Sequence, residues 1–239
     1  MAGANGDGIY CVGLLVPSSN TTMEGDLHRN LPEEVEIVTS RMFLEKTTRD
    51  DEIHMIEESA PEALRMVKTA RPRVTVFGCT SGGSLFGREY DRSIMRKIEE
   101  ETGTEAISIL SSLSEEFEAL GAKKLLVFTP YIDELNRTIK SSLEEDGLEV
   151  LAIEGMKIVE NVLIGAVRPG EILAFAREKA APSLLEEADC VFFSCTNLPA
   201  VRALPLLRAH FGGKPVMTSN LAAINAVRRR YEKAHATAG

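Results

Sequence analysis

The chain has no tryptophan, and aromatic residues make up 5% of its 239 positions. Its four cysteines form no Cys-x-x-Cys pair, and its four histidines, His28, His54, His210 and His235, lie far along the chain from the cysteines and from one another. Metal sites rely on closely spaced ligands, so no metal is expected. A chain of this length builds a core without covalent staples. Its start has neither a basic segment nor an apolar one that would read as a secretory leader, so Cys11, Cys79, Cys190 and Cys195 are expected as reduced thiols in a cytoplasmic protein. No apolar run approaches the roughly 20 residues of a membrane-spanning helix. Positive charge is scarce and scattered: 27 basic against 36 acidic residues leave a net charge of −9, which argues against nucleic acid as a partner. There is no P-loop, and the glycines of 3–8 precede the first strand, where a dinucleotide fingerprint would follow it, so no nucleotide cofactor is expected.

What the chain does have is 44% hydrophobic residues arranged in alternating blocks. Short β-branched runs at 10–16, 35–41, 74–77, 105–109, 124–129, 149–153, 190–194 and 215–218 read as strands. Segments 51–68, 91–101, 132–145 and 172–187 carry apolar residues at helical spacing, and Gly103, Gly121 and Gly147 stand where helices should end. Alternating strands and helices predict an α/β fold built on mainly parallel sheets. The two halves of the chain also echo each other. Leu14-Leu15-Val16-Pro17 is matched by Leu126-Val127-Phe128-Thr129-Pro130, and Thr75-Val76-Phe77-Gly78-Cys79-Thr80 by Val191-Phe192-Phe193-Ser194-Cys195-Thr196. From proline to cysteine the separations are 62 and 65 residues. Two pseudo-equivalent lobes follow, 1–111 with a C-terminal helix 220–239, and 112–219, with the site in the cleft between them.

Each repeat ends a strand in a polar Cys-Thr turn. The carboxyl ends of strands are where open α/β sheets bind ligands, and a helix start there favours an anion such as a carboxylate. The same field is expected to lower a thiol's pKa. Two opposed thiols across a cleft provide a nucleophile or base on one side and an acid on the other. A lone cysteine at a strand end is more often a small buried hydrophobe; the matched positions of Cys79 and Cys195 raise them above that reading, while Cys11 and Cys190 are assigned to the core. No histidine stands near either turn, so a Cys-His or Ser-His-Asp arrangement is not expected. Asn20, Thr21 and Thr22 also suit a helix cap, and Asn161 a solvated helix. The runs Arg49-Asp50-Asp51-Glu52 and Arg228-Arg229-Arg230 are expected as solvated helix faces or caps.

These residues resemble the aspartate/glutamate racemase superfamily, whose members have two pseudo-symmetric α/β lobes and paired Cys-Thr turns. Within it, Val16-Pro17-Ser18-Ser19-Asn20-Thr21-Thr22-Met23-Glu24 is similar to the first-loop signature of the maleate cis-trans isomerases and related arylmalonate decarboxylases. Phe128-Thr129-Pro130-Tyr131 with Leu135-Asn136, and Glu160-Asn161 with Ile164-Gly165, resemble the family's second-lobe segments. The resemblance implies Cys79 as nucleophile and Cys195 as partner acid/base. It implies Asn20, Tyr131 and Asn161 as carboxylate holders, with Thr80, Ser81 and Thr196 presenting amides or hydroxyls. It further implies a cofactor-independent isomerase of a small dicarboxylate or related carboxylate, and a homodimer. Arylmalonate decarboxylases usually carry glycine at the first-lobe cysteine, so Cys79 favours maleate isomerisation. A racemase of an amino acid or hydantoin, an ectoine-utilisation relative, a decarboxylase and a non-enzymatic two-lobe binder remain as alternatives.

Overall fold

A computed structural model describes residues 9–236; the glycines of 3–8 and the last three residues of the expected terminal helix lie outside the described residues. The first half builds β1 (Tyr10–Pro17), α1 (Met23–Asn30), β2 (Val35–Met42), α2 (Arg49–His54), α3 (Ala60–Val67), β3 (Val74–Phe77), α4 (Thr80–Ser84), α5 (Gly87–Thr102), β4 (Glu105–Ser108) and α6 (Ile109–Leu120). The second builds β5 (Lys124–Thr129), α7 (Asp133–Glu145), β6 (Glu149–Gly155), α8 (Asn161–Gly165), α9 (Pro169–Lys179), α10 (Pro182–Glu187), β7 (Cys190–Phe193), α11 (Ala200–Phe211), β8 (Val216–Thr218) and α12 (Ser219–Ala236). A wide π turn, Met55–Ser59, joins α2 to α3.

The strands form two four-stranded sheets in the orders β2-β1-β3-β4 and β6-β5-β7-β8. Every pairing is parallel. The identical order makes the lobes structural repeats, as the paired sequence blocks predict. All eight residues of β1 are buried, as are all four of β3 and of β7. Parallel strands covered by helices on both faces select such continuously apolar runs.

The main apolar cluster runs through both lobes without a break, from Val12 and Leu14 to Phe192 and Ala223. Phe128 stacks on Phe193 with centroids 5.2 Å apart, and Phe117 of α6 meets Phe192 edge-on at 5.6 Å. Burying each ring is worth about 1.5–3 kcal/mol. α6 packs against α12, and α4 and α5 pack against α7, so helices rather than strands join the lobes.

Two expectations are corrected. The helix read over 172–187 is two helices, because Pro182 lacks an N–H and holds Ala181 extended (φ −61°, ψ 130°). The basic run Arg228-Arg229-Arg230 is not simply solvated: Arg229 pairs with Glu115 and Glu116, and Arg230 with Glu105 and Glu115, at 2.5–2.9 Å. Arg228 donates to the Asn30 carbonyl. These contacts fasten α12 across α6 and the first lobe.

Candidate active site

The carboxyl ends of β3 and β7 deliver the two cysteines. After β3 the chain passes Gly78, where an added Cβ would lie 2.7 Å from Met23 Sδ and 3.0 Å from the Leu15 carbonyl. Cys79 then caps α4, its Sγ accepting the Gly82 amide at 3.4 Å. In the second lobe Cys195 has φ +133°, a conformation that costs a non-glycine residue on the order of 1–3 kcal/mol. Its surroundings hold it there. The Cys195 amide donates to Ser219 Oγ at 3.0 Å, and its Sγ accepts the Asn197 amide at 3.3 Å.

Ser219 Oγ also accepts from Thr80 Oγ1 at 3.0 Å, so one hydroxyl ties the two cysteine turns together. Thr196 Oγ1 donates to the Gly78 carbonyl at 3.0 Å and accepts from Asn20 Nδ2 at 3.0 Å. Asn20 Oδ1 meanwhile accepts the amides of Thr22 and Met23, each at 3.0 Å. Asn20 thus caps α1 and bridges the lobes at once. Asn161 opens α8, donates to Ser19 Oγ at 2.8 Å, and accepts from Asn197 Nδ2 at 2.6 Å through its carbonyl; it is not a solvated helix residue. Tyr131 precedes α7, and its buried hydroxyl lies close enough to Cys195 to hold that thiol's pKa down against burial. The structure therefore gathers Cys79, Cys195, Asn20, Thr80, Ser81, Tyr131, Asn161 and Thr196 around one place, none more than 4% exposed.

The expected lowering of the thiol pKa values is overturned. Burial pushes the Cys79 thiol well above its ordinary value, and the nearby Glu52 carboxyl adds to the effect. Burial also lifts Cys195, to about 11, against hydrogen bonds from Tyr131 and the amides of Asn197 and Leu198. The reason is that α4 is a five-residue turn, whose weak field is outweighed by desolvation of a thiolate. Both thiols are held neutral, so adding either to a substrate requires moving its proton. Cys11 and Cys190 lie in the core as expected, and burial lifts Cys190 to about 12.

Glu52 was missed in the sequence, and its expected place on a solvated face is wrong. It is fully buried, and Ser81 Oγ donates to its Oε1. Desolvation raises its carboxyl to about 8. The signal that marks it is periodicity: Glu52 lies on the stripe continued by Met55, Ala63 and Val67, all buried, so an acid sits where an apolar residue belongs. Asn197 and Ser219 were missed too, because their partners are backbone groups and a hydroxyl brought in from distant parts of the chain.

Among the described residues, no group of three or more His, Cys, Asp or Glu side chains is placed to hold a metal ion. A surface cavity of about 570 Å³ opens between α3 and α5 over Leu15, Ile56 and Tyr90, and it is not lined by either cysteine turn. Cys79 and Cys195 are themselves buried.

A two-lobe parallel α/β fold with a buried cysteine at the same strand end of each lobe defines a class of thiol-bearing repeat proteins. The chain belongs to the arylmalonate decarboxylase family, which matches residues 12–239. It is 26% identical over 227 residues to a maleate isomerase of Pseudomonas putida, covering 90% of this chain and 88% of the relative. To an arylmalonate decarboxylase of Bordetella bronchiseptica it is 24% identical over 214 residues, covering 87% and 85%. Among solved structures, a Nocardia farcinica maleate cis-trans isomerase, a cysteine-to-serine variant carrying a covalently bound succinylcysteine intermediate, superposes with a TM-score of 0.86 at 22% identity over 94% of both chains.

Proposed function

We propose that this protein is a cofactor-independent two-cysteine isomerase of a small carboxylate, converting maleate to fumarate, with its site between lobes 1–111 (plus the terminal helix) and 112–219. The observation that carries this reading is the pair of buried thiols at matching strand ends, knitted together through Thr80, Ser219 and Thr196. The relatives named maleate isomerase, and the succinylcysteine seen in one of them, support it. The presence of cysteine in both turns supports isomerisation over decarboxylation.

Cys79 adds as a thiolate to one alkene carbon, and Cys195 gives a proton to the other, so the double bond becomes single. Charge collects on the carboxylate beside the protonated carbon as the adduct forms, where side-chain amides of Asn20 and Asn161 and the Tyr131 hydroxyl serve as donors. Donors aimed at such charge are worth roughly 3 kcal/mol each. Rotation separates the two carboxylates. Cys195 then takes back the proton, the C–S bond breaks, and fumarate leaves. None of the eight residues gathered at the site is a lysine, arginine or histidine, so neutral dipoles do this work.

Proton NMR of the reduced protein with maleate in deuterium oxide tests the reading. Fumarate is expected from the wild type and from neither Cys79→Ser nor Cys195→Ser, both variants keeping their melting temperature within a few degrees. Absence of fumarate, with deuterium instead entering the α-carbon of an added amino acid or hydantoin, would replace isomerase with racemase.

A further inference from the structure

The described residues contain four buried or nearly buried carboxylates in the two lobes, and three of them have a cation. Asp26 accepts from Arg29 at 2.6 Å and Asn220 at 2.9 Å; Asp91 has Ser108 at 2.7 Å and Arg88 at 3.9 Å; Glu116 has Arg229 at 2.5 Å and Asn225 at 2.8 Å. Glu52 is the exception. It is 0% exposed, its Oε1 accepts from Ser81, its Oε2 has no partner, and it forms no ion pair. An unpaired buried carboxylate is costly where an apolar residue would pack freely.

Ser81 connects this carboxyl to a thiol. Its Oγ lies 3.9 Å from Cys79 Sγ, within reach of a sulfur hydrogen bond, and donates to Glu52 on the other side. The chain Cys79–Ser81–Glu52 is continuous and wholly buried. We propose that Glu52 is the resident proton acceptor for Cys79, acting through the Ser81 hydroxyl. In this step the Cys79 S–H bond breaks and its proton passes to Ser81 Oγ, while the Ser81 proton passes to Glu52 Oε1. The products are a thiolate, a neutral serine and a neutral carboxylic acid, and the C–S bond forms from the thiolate. When that bond breaks, the protons return by the same path. Once Glu52 is ionised, the negative charge only moves from its carboxylate to the sulfur within the buried site, so the thiol becomes a nucleophile without a further base.

The inference rests on the two-thiol reading above, but its test needs no substrate. Glu52 supplies the base in its ionised form, which grows as pH rises through about 8. The titratable groups that face it are Asp51 on its own helix, Cys79 on the β3–α4 turn, Tyr131 before α7 and Cys195 after β7. The measurement is the rate at which iodoacetamide alkylates Cys79, followed by mass spectrometry from pH 6 to 10. In the wild type the rate should climb with a midpoint near 8. Glu52→Gln, which keeps the shape, should lower it at pH 8.5 by a hundredfold or more and remove that midpoint. Ser81→Ala should do the same, and the double variant should be no slower than either single one. A Glu52→Gln protein that is alkylated as fast as wild type, or faster because a repelling charge has gone, overturns the proposal. So does a wild type whose Cys79 shows no rise near pH 8.

Discussion

Burial of Glu52 has a consequence for stability as well as for thiol chemistry. Its folded-state carboxyl is raised from 4.5 to about 8, so the folded protein prefers the proton. Such a group contributes most below pH 4.5, and that contribution is lost as pH rises through the folded value. The slope is at most about 1.4 kcal/mol per pH unit between those limits. The unfolding free energy of Glu52→Gln should therefore fall less than that of the wild type between pH 5 and 8. Chemical denaturation across that range checks it, and parallel curves would mean that Glu52 is solvated or paired. At the same scale, Tyr131→Phe removes the hydroxyl beside Cys195 and should cut kcat tenfold or more while leaving the melting temperature near its wild-type value. Steady-state kinetics with maleate decide this.

Among the elements, turns at strand ends do more for the site than the strands themselves. β6 ends at Gly155, where an added Cβ would lie 2.2 Å from the Tyr131 carbonyl and 2.5 Å from Asn136 Nδ2. Thr129 Oγ1 links the same corner by accepting the Tyr131 amide at 3.1 Å and donating to Asn136 Oδ1 at 2.5 Å. Gly155→Ala must push this corner aside, so it should destabilise by about 1–3 kcal/mol and lower turnover by displacing Tyr131. Thermal melts and kinetics together test the claim; an unchanged kcat would mean that the corner gives way without moving the tyrosine. The π turn at Met55–Ser59 is a similar local device, because it lets Glu52 and Met55 share the buried face that Ala63 and Val67 continue.

Over the whole molecule, the lobes are held closed by hydrogen bonds between loops that lie far apart in the chain. Asn197 Oδ1 accepts the Thr21 amide at 2.9 Å, its Nδ2 donates to the Asn161 carbonyl, and its own carbonyl accepts from Thr22 Oγ1 at 2.8 Å. Nearby, the Thr47 amide donates to the Val159 carbonyl at 2.8 Å, and the Asn161 amide to the Glu45 carbonyl at 2.9 Å. Asn197→Ala strands the buried Asn161 carbonyl, at a cost of roughly 1–3 kcal/mol, and frees the Thr21 amide, which belongs to an exposed residue and can turn to water. The expected result is a fall in unfolding free energy of about 1–3 kcal/mol, measured by urea denaturation. A change under 0.5 kcal/mol would show that the lobes are held by the shared apolar core alone.

Much of this was legible in the order of residues. Val74-Thr75-Val76-Phe77 and Cys190-Val191-Phe192-Phe193 could only be buried strands, and their repetition with a Cys-Thr turn after each pointed to two equivalent lobes and to Cys79 and Cys195. Local chemistry sufficed there, because strand burial and turn composition are properties of neighbouring residues. Tertiary structure alone decided the thiols' protonation, the burial of Glu52 and the joining of the lobes through Asn197, Ser219 and α12. Each depends on what is packed around a group from distant parts of the chain. Ser81 meets Glu52 across 29 positions and Thr80 meets Ser219 across 139, and solvent exclusion at those meetings outweighs the helix-terminal field that the sequence order suggested.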